Sequence, residues 1–405
     1  MKVSNKLIFV QSLSSLSLWL DIFLIFTVPV YMWQVPPSSI ALLAFCLGLP
    51  MLILGPVVGT IIDRQDVQKT LILGALLRVI STTALACSPN FNVFLGLVIL
   101  KGVANLVYFP SITVTVRQLI GAEDRKSFFS YVSLLDQSTK ILAPLLAGLL
   151  TLILIPKDLF FLSAAAVFIS LPVLMSICAA IPSKPEVSSA KILSLYQDVL
   201  KGFHIFRSLP FQLRIGFLYS LLTSLALGVY DPHLAAFLAY EGLAPVVFSG
   251  IISATAGGAV CAALLLKFKF KTTDEFVLRS YALIIFSTAL LLAAALIFFE
   301  IPGRRYLYPA VWFINGFGYE ILIISSNIIL QQLCPAENIG RVSTSFRSIQ
   351  ILCVIMGPMI GTVLIADMGR QAPFILAACA AFLTASLSVA IHYCCTRKQL
   401  LKAID

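Results

Sequence analysis

From Leu7 to Trp33 the sequence carries a single charged side chain, Asp21. A stretch of about 20 mostly apolar residues is enough to cross the hydrocarbon core of a bilayer. Comparable runs follow over 38–62, 70–88, 91–116, 128–155, 159–181, 211–239, 244–266, 277–299, 306–333, 343–366 and 371–395, twelve in all. In lipid every backbone N–H and C=O must be bonded inside the protein, so runs of this length are helices. Short segments of alternating polarity, the signature of a membrane barrel, are absent. Composition agrees: 60% of the residues are hydrophobic and only 11% charged, against roughly 25% charged in soluble domains. The expected fold class is an all-α membrane protein with twelve transmembrane helices.

The formal net charge of +10 raises the question of nucleic acid. A groove-binding protein gathers its basic residues on one soluble face, whereas here they fill short gaps between apolar runs, so no nucleic-acid partner is expected. With the N-terminus in the cytoplasm, twenty Lys and Arg fall on the cytoplasmic side and only Lys157, Arg304, Arg305 and Arg370 on the other. Basic residues accumulate in cytoplasmic loops, so an even number of spans with both termini inside is expected. The nine cysteines show no metal-ligand spacing and read as free thiols buried like small hydrophobes. The first apolar run is too long for the core of a cleavable signal.

The longest polar stretch, 182–210, separates a first six-helix half (1–181) from a second (211–405). Ile192, Leu195, Val199 and Phe203 alternate with Lys191, Asp198 and Lys201 in it, the pattern of an amphipathic helix on the cytoplasmic surface. The halves resemble each other. "FPSITVTVRQLIGAEDRKSF" leads into "ILAPLLAGLL", and "SSNIILQQLCPAENIGRV" leads into "VIMGPMIGTVLI", which sets Glu123 beside Glu337 and Pro144 beside Pro358. Parallel repeats of this kind place a substrate site between the halves near the bilayer midplane.

The segment "LGPVVGTIIDRQDVQKTLILGALLRV" resembles the loop between helices 2 and 3 of the major facilitator superfamily. Gly59, Asp63, Arg64 and Lys69 match its pattern, while Asp66 and Gln68 depart from it. "LGPVVGTIIDR" and "YFPSITVTVRQLIGAEDR" are most similar to the macrolide-efflux and enterobactin-exporter branch. The resemblance implies a two-half fold whose helices 1, 4, 7 and 10 line a central cavity, and a cytoplasmic gate at Gly59, Asp63, Arg64 and Lys69. Solvated loop charge is the alternative reading of those residues. The family's antiporter signature in helix 5 is degraded to Ala143-Pro144-Leu145-Leu146-Ala147-Gly148, with a fuller copy at Gly357-Pro358-Met359-Ile360-Gly361. Lys101 stands where helix 4 of the family commonly has arginine. A desolvated lysine can lose its proton and an arginine cannot.

Ionisable residues inside a membrane cost several kcal/mol and mark function by default. Asp21, Lys101, Asp136, Lys140, Asp231 and Glu320 stand well inside spans, while Arg78 and Arg347 lie nearer the cytoplasmic ends, within reach of the interface by snorkelling. At about 1.5 Å per residue Asp21 and Lys101 are near mid-bilayer. In the resembled fold they face each other across the cavity, either as a coupling or substrate-anchoring pair or as a static ion pair. Asp136 and Lys140, spaced i, i+4, share a face and can pair. Glu320, on the helix of Asn315 and Asn327, is a second proton carrier or cation anchor. Asp231, before Pro232 and His233, reads as a gate residue or as an exposed helix-end cap. The expected proton-coupling residues are thus Asp21, Glu320 and Asp136. Asp21, Lys101, Asn105, Tyr108, Asn315 and Glu320 are expected to bind substrate.

No Ser/His/Asp set, zinc spacing or phosphate loop appears, so no catalytic residue, cofactor or metal is expected. The resulting expectation is a monomeric multi-pass transporter of the bacterial inner membrane, working by alternating access on a small amphipathic solute. Its partners are that solute, protons and the bilayer. The resemblance implies proton-coupled drug or siderophore export. Import of a small anionic metabolite and a non-transporting sensor are the competing readings.

Overall fold

A computed structural model of the chain describes residues 3–64, 66–179, 209–269, 275–299, 301, 303–334 and 339–402. The elements among them are α1 (Val3–Trp33), α2 (Pro37–Arg64), α3 (Val67–Cys87), α4 (Phe91–Leu119), α5 (Ala122–Leu150), α6 (Leu159–Cys178), α7 (Phe211–Tyr230), α8 (Leu234–Tyr240), α9 (Pro245–Lys269), α10 (Glu275–Phe298), α11 (Arg304–Leu333), α12 (Ile339–Met368) and α13 (Ala372–Lys402). The architecture is all-α, as the apolar runs require. Among the described residues eleven segments are long and apolar enough to cross a membrane, α7 and α8 counting as one. The segment outside that set is α5, whose apolar run is diluted by Asp136, Gln137 and Lys140. The proposed amphipathic helix of 182–210 falls almost wholly outside the described residues.

The chain divides into two compact units, Met1–Tyr196 with Leu238–Gly250, and Gln197–Phe237 with Ile251–Asp405. In the first unit the helices neighbour one another in the order α5, α1, α6, α3, α4, α2. In the second the order is α12, α7, α13, α10, α11, with α9 against α11 through Gly258 and Gly316. The same circuit is thus built twice, which is what the sequence repeat encodes. Two close approaches share one register. A Cβ on Gly102 of α4 would lie 3.1 Å from the Leu47 carbonyl of α2, and one on Gly316 of α11 would collide with the Thr255 carbonyl of α9. The alignment that pairs Glu123 with Glu337 also pairs Gly102 with Gly316.

Residues 238–250 pack in the first unit, where Phe248 stacks on Phe23 with centroids 5.6 Å apart and the Tyr31 hydroxyl donates to the Leu243 carbonyl at 3.1 Å. Apolar side chains also cover the outside, Phe168 being 63% and Ile153 78% exposed, which water would penalise and hydrocarbon does not. Of the seven described cysteines, all free, Cys87, Cys261 and Cys379 are exposed rather than buried. The sequence reading of the thiols as uniformly buried is corrected there, since a lipid-facing surface accepts a thiol as readily as a core does. The helix breaks at Pro232. Pro232 has no N–H to continue the helix, so α7 stops at Tyr230, a 3₁₀ turn spans Asp231–His233, and α8 resumes.

Candidate functional site

The polar residues of α1 fall on two faces. Ser14, Ser17 and Asp21, at i, i+3 and i+7, make one stripe, and Ser15 with Trp19, at i and i+4, makes another. Each stripe meets a different set of helices.

The first stripe closes onto α3, α4 and α6. The Lys101 ammonium lies 2.6 Å from Asp21 Oδ2, both side chains being sealed from solvent at 0% and 2% exposure. Ser163 of α6 donates to Asp21 Oδ1 at 2.7 Å, and Ser17 donates to Oδ2 at 3.4 Å. Ser17 and Ser163 are themselves 2.8 Å apart. Lys101 also donates to the Thr82 hydroxyl of α3. Arg78 completes the cluster. Its guanidinium donates to the Ser14 hydroxyl at 2.5 Å, the Ser14 carbonyl at 3.1 Å and Ser17 Oγ at 3.4 Å, with its central carbon 4.7 Å from the Tyr108 ring centroid. Arg78 is fully buried. The expectation that it snorkels to the interface is therefore corrected: α1 hydroxyls and an aromatic ring inside the unit solvate it instead.

The second stripe meets α5. Asp136 Oδ1 accepts from Ser15 at 2.5 Å and from the Trp19 indole at 3.1 Å, while the Lys140 ammonium lies 5.0 Å from the Trp19 ring centroid. The i, i+4 spacing of Asp136 and Lys140 does place them on one face. Each is held by Trp19, which inserts from the neighbouring helix and supplies a donor edge to the acid and a π face to the cation.

The other expected residues are dispersed. Asn105 is half-buried, its Oδ1 without a hydrogen-bond partner, and Tyr108 is buried beneath Arg78. In the second unit Asn315 is buried and its Oδ1 accepts from the Tyr230 hydroxyl at 3.4 Å. Glu320 is half-buried in mid-α11, and Asp231 is exposed in the turn after α7. Gly59, Asp63 and Arg64 lie on the last turns of α2, where the side chains fall outside the described residues. Lys69 is 83% exposed and pairs with Asp66 at 3.4 Å, the acid by which this loop departs from the family pattern. Among the described residues no group of His, Cys, Asp and Glu could hold a metal ion.

Sequence reading missed Ser14, Ser17, Thr82 and Ser163 as partners of the buried charges. The spacing of the two serines with Asp21 was a legible signal, whereas nothing in the sequence ties Ser163 to α1. Arg279, on the first turns of α10, is buried at 5% exposure, its guanidinium 5.3 Å from the Tyr219 ring centroid and close against Gly216.

This fold recurs in solved structures of the nucleoside transporter NupG (TM-score 0.76, 14% identity, 97% of this chain and 99% of that one) and of a POT family transporter in complex with 5-aminolevulinic acid (TM-score 0.74, 12% identity, 96% and 95%). At such identities the likeness is one of fold. The uncharacterized MFS-type transporter YfiS of Bacillus subtilis (strain 168) is 23% identical over 370 residues, 91% of this chain and 88% of that protein. The quinolone resistance protein NorA of Staphylococcus aureus is 26% identical over 147 residues, 36% of this chain and 38% of that protein. The family model for the Major Facilitator Superfamily matches residues 7–350. A repeated six-helix circuit, a multi-pass apolar surface and a family match over most of the length make this chain a membrane transporter of the Major Facilitator Superfamily.

Proposed function

We propose that the transporter exports a small amphipathic compound, a drug or a siderophore, across the bacterial cytoplasmic membrane in exchange for protons. The observation that carries this reading is the sealed Asp21–Lys101 pair inside the first unit. A buried ion pair is seldom more stabilising than apolar side chains of the same volume, so its presence in a membrane helix calls for a role in the transport cycle. Glu320 and Asp136 are the further carboxyls that exchange protons or meet the substrate. The Trp19, Asp136 and Lys140 group presents an aromatic face flanked by both charges, chemistry suited to an amphipathic solute. The partial similarity to a quinolone resistance protein supports the export direction. Both termini are cytoplasmic in this reading, and the loop at Gly59–Lys69 acts as the cytoplasmic gate.

Everted membrane vesicles containing the protein, energised to acidify their interior and reporting through acridine orange, test the proposal. Norfloxacin, erythromycin and an iron-free catecholate siderophore are added in turn. At least one is expected to collapse the proton gradient, with the response reduced several-fold in Asp21→Asn and Glu320→Gln. No response beyond that of vesicles lacking the protein, or undiminished responses in both variants, would overturn the reading.

A further inference from the structure

We infer that, within the buried cluster of the first unit, the proton is carried by Lys101 and not by Asp21, with Arg78 acting as the permanent counter-charge to Asp21. This rests on the proton-coupled reading above and assigns the parts within it.

The sealed cluster of the first unit holds one acid, Asp21, and two cations, Lys101 and Arg78, each at most 2% exposed. The other hydrogen-bond partners described in the cluster are neutral: Thr82 of α3, which accepts from Lys101, and Ser163 of α6, which donates to Asp21. Tyr108 lies under Arg78. Of the other described acids of this unit, Asp136 is engaged with Ser15 and Trp19 on the other face of α1, Asp66 pairs with Lys69 at the helix end, Asp158 is exposed in the 3₁₀ turn before α6, and Glu241 follows α8. With every group in its ordinary charge state the cluster therefore carries one surplus positive charge in a site sealed from bulk solvent, an expensive condition in a low dielectric. A guanidinium does not release its proton in proteins, whereas a buried ammonium does. Loss of one proton from Lys101 is the single change that brings the cluster to neutrality.

The geometry leaves Asp21 close to a second cation when that happens. Ser17 Oγ lies 3.4 Å from Asp21 Oδ2 and 3.4 Å from Arg78 Nη2, so the second cation is one hydroxyl away from the carboxylate. In the step, one N–H bond of Lys101 breaks and the proton passes to water in the conformation that opens the cluster. The electron pair stays on Nζ, which then accepts the Thr82 hydroxyl. Reprotonation from the opposite side restores the ion pair. Asp21 is the fixed anchor, Lys101 the group that gains and loses the proton, and Arg78 a positioning residue.

The second half shows the same frame without the device. Arg279 sits against Gly216 and over Tyr219 of α7, the spacing at which Ser14 and Ser17 receive Arg78. In that register Thr223 takes the place of Asp21, and the register that pairs Gly102 with Gly316 puts Asn315 in the place of Lys101. An arginine is kept in both halves, and the pair that can exchange a proton is present in the first alone.

The test is a difference titration of purified protein in nanodiscs of phosphatidylethanolamine and phosphatidylglycerol, in unbuffered medium with pyranine as the proton indicator. An ordinary lysine keeps its proton up to about pH 10. Between pH 6 and pH 9 the wild type is expected to release close to one proton per chain more than Lys101→Arg, with Lys101→Met as a second reference should the arginine variant fail to fold. In an Arg78→Gln background the same difference is expected to vanish, because Lys101 becomes the sole cation facing Asp21. A wild-type difference of zero overturns the inference. A second arm follows norfloxacin accumulation in everted vesicles with and without a pH gradient. If wild type responds and Lys101→Arg responds equally, the assignment to Lys101 fails while proton coupling stands. If wild type itself does not respond to the gradient, the coupling reading fails and the inference with it.

Discussion

Asp21 faces two cations, so its removal and the removal of Lys101 are unequal changes. Asp21→Asn leaves Lys101 and Arg78 unopposed in a sealed site, whereas Lys101→Met leaves Asp21 with Arg78 one hydroxyl away. Breaking a buried pair from one side costs about 3–5 kcal/mol where the surviving charge has no other partner. The expected order of thermal stability in detergent is therefore wild type, then Lys101→Met, then Asp21→Asn, the last lower by about 3 kcal/mol, and thermal unfolding followed by tryptophan fluorescence checks it. Equal losses would show that Arg78 does not compensate. The acids and Lys101 were legible because an ionisable side chain inside an apolar run stands out from its neighbours. Arg78 was misread because its long side chain reaches either the interface or the interior, and only the hydroxyls of Ser14 and Ser17 decide which. Likewise the spacing of Asp136 and Lys140 fixes a shared face but not a partner, and Trp19 comes between them from a different helix.

Helix contacts within each unit depend on a few positions where no side chain fits. Gly258 and Gly316 bring α9 and α11 into backbone contact, and Gly357 does the same for α12 against Gly228 of α7. Without a hydrophobic driving force between helices in lipid, such close packing is a main source of association. Gly316→Ala places a methyl on the Thr255 carbonyl and is expected to cost about 1–3 kcal/mol by overpacking. Gly96 of α4 has nothing within 4 Å of a Cβ, so Gly96→Ala is expected to stabilise by about 0.5–1 kcal/mol through helix propensity. Size-exclusion profiles after graded heating would separate the two, and equal behaviour would contradict the packing. The breaks between elements were partly legible. Pro232 announces an interruption, but whether the chain kinks or restarts as a separate turn depends on the surroundings. Here the buried His233 Nε2 lies 2.9 Å from the Pro358 carbonyl of α12, a contact that belongs to the broken geometry.

On the scale of the whole molecule, the unequal distribution of Lys and Arg predicts a topology. Green fluorescent protein fused after Asp405 is expected to fluoresce, because it folds only in the cytoplasm, and alkaline phosphatase inserted near Lys157 is expected to be active, because it folds only outside. Activity of the phosphatase at the C-terminus would invert the orientation. Twenty basic residues against four make a strong bias, since short loops are retained on the side where their positive charges lie.

What the sequence determined alone follows from the solvent it is written for. Hydrocarbon leaves the backbone no partner but itself, so length and hydropathy are enough to specify helices, and the recurrence of motifs such as that around Pro144 and Pro358 is enough to specify two copies of one circuit. Tertiary structure alone decided which polar groups meet. Ser163 is 142 residues from Asp21 and its hydroxyl nevertheless sits 2.7 Å from that carboxylate. A helix face is set by local periodicity, but the neighbour that face receives is set by packing with elements far away in the chain, and in this transporter the stripe of Ser14, Ser17 and Asp21 on α1 meets Arg78, Lys101 and Ser163 from three other helices.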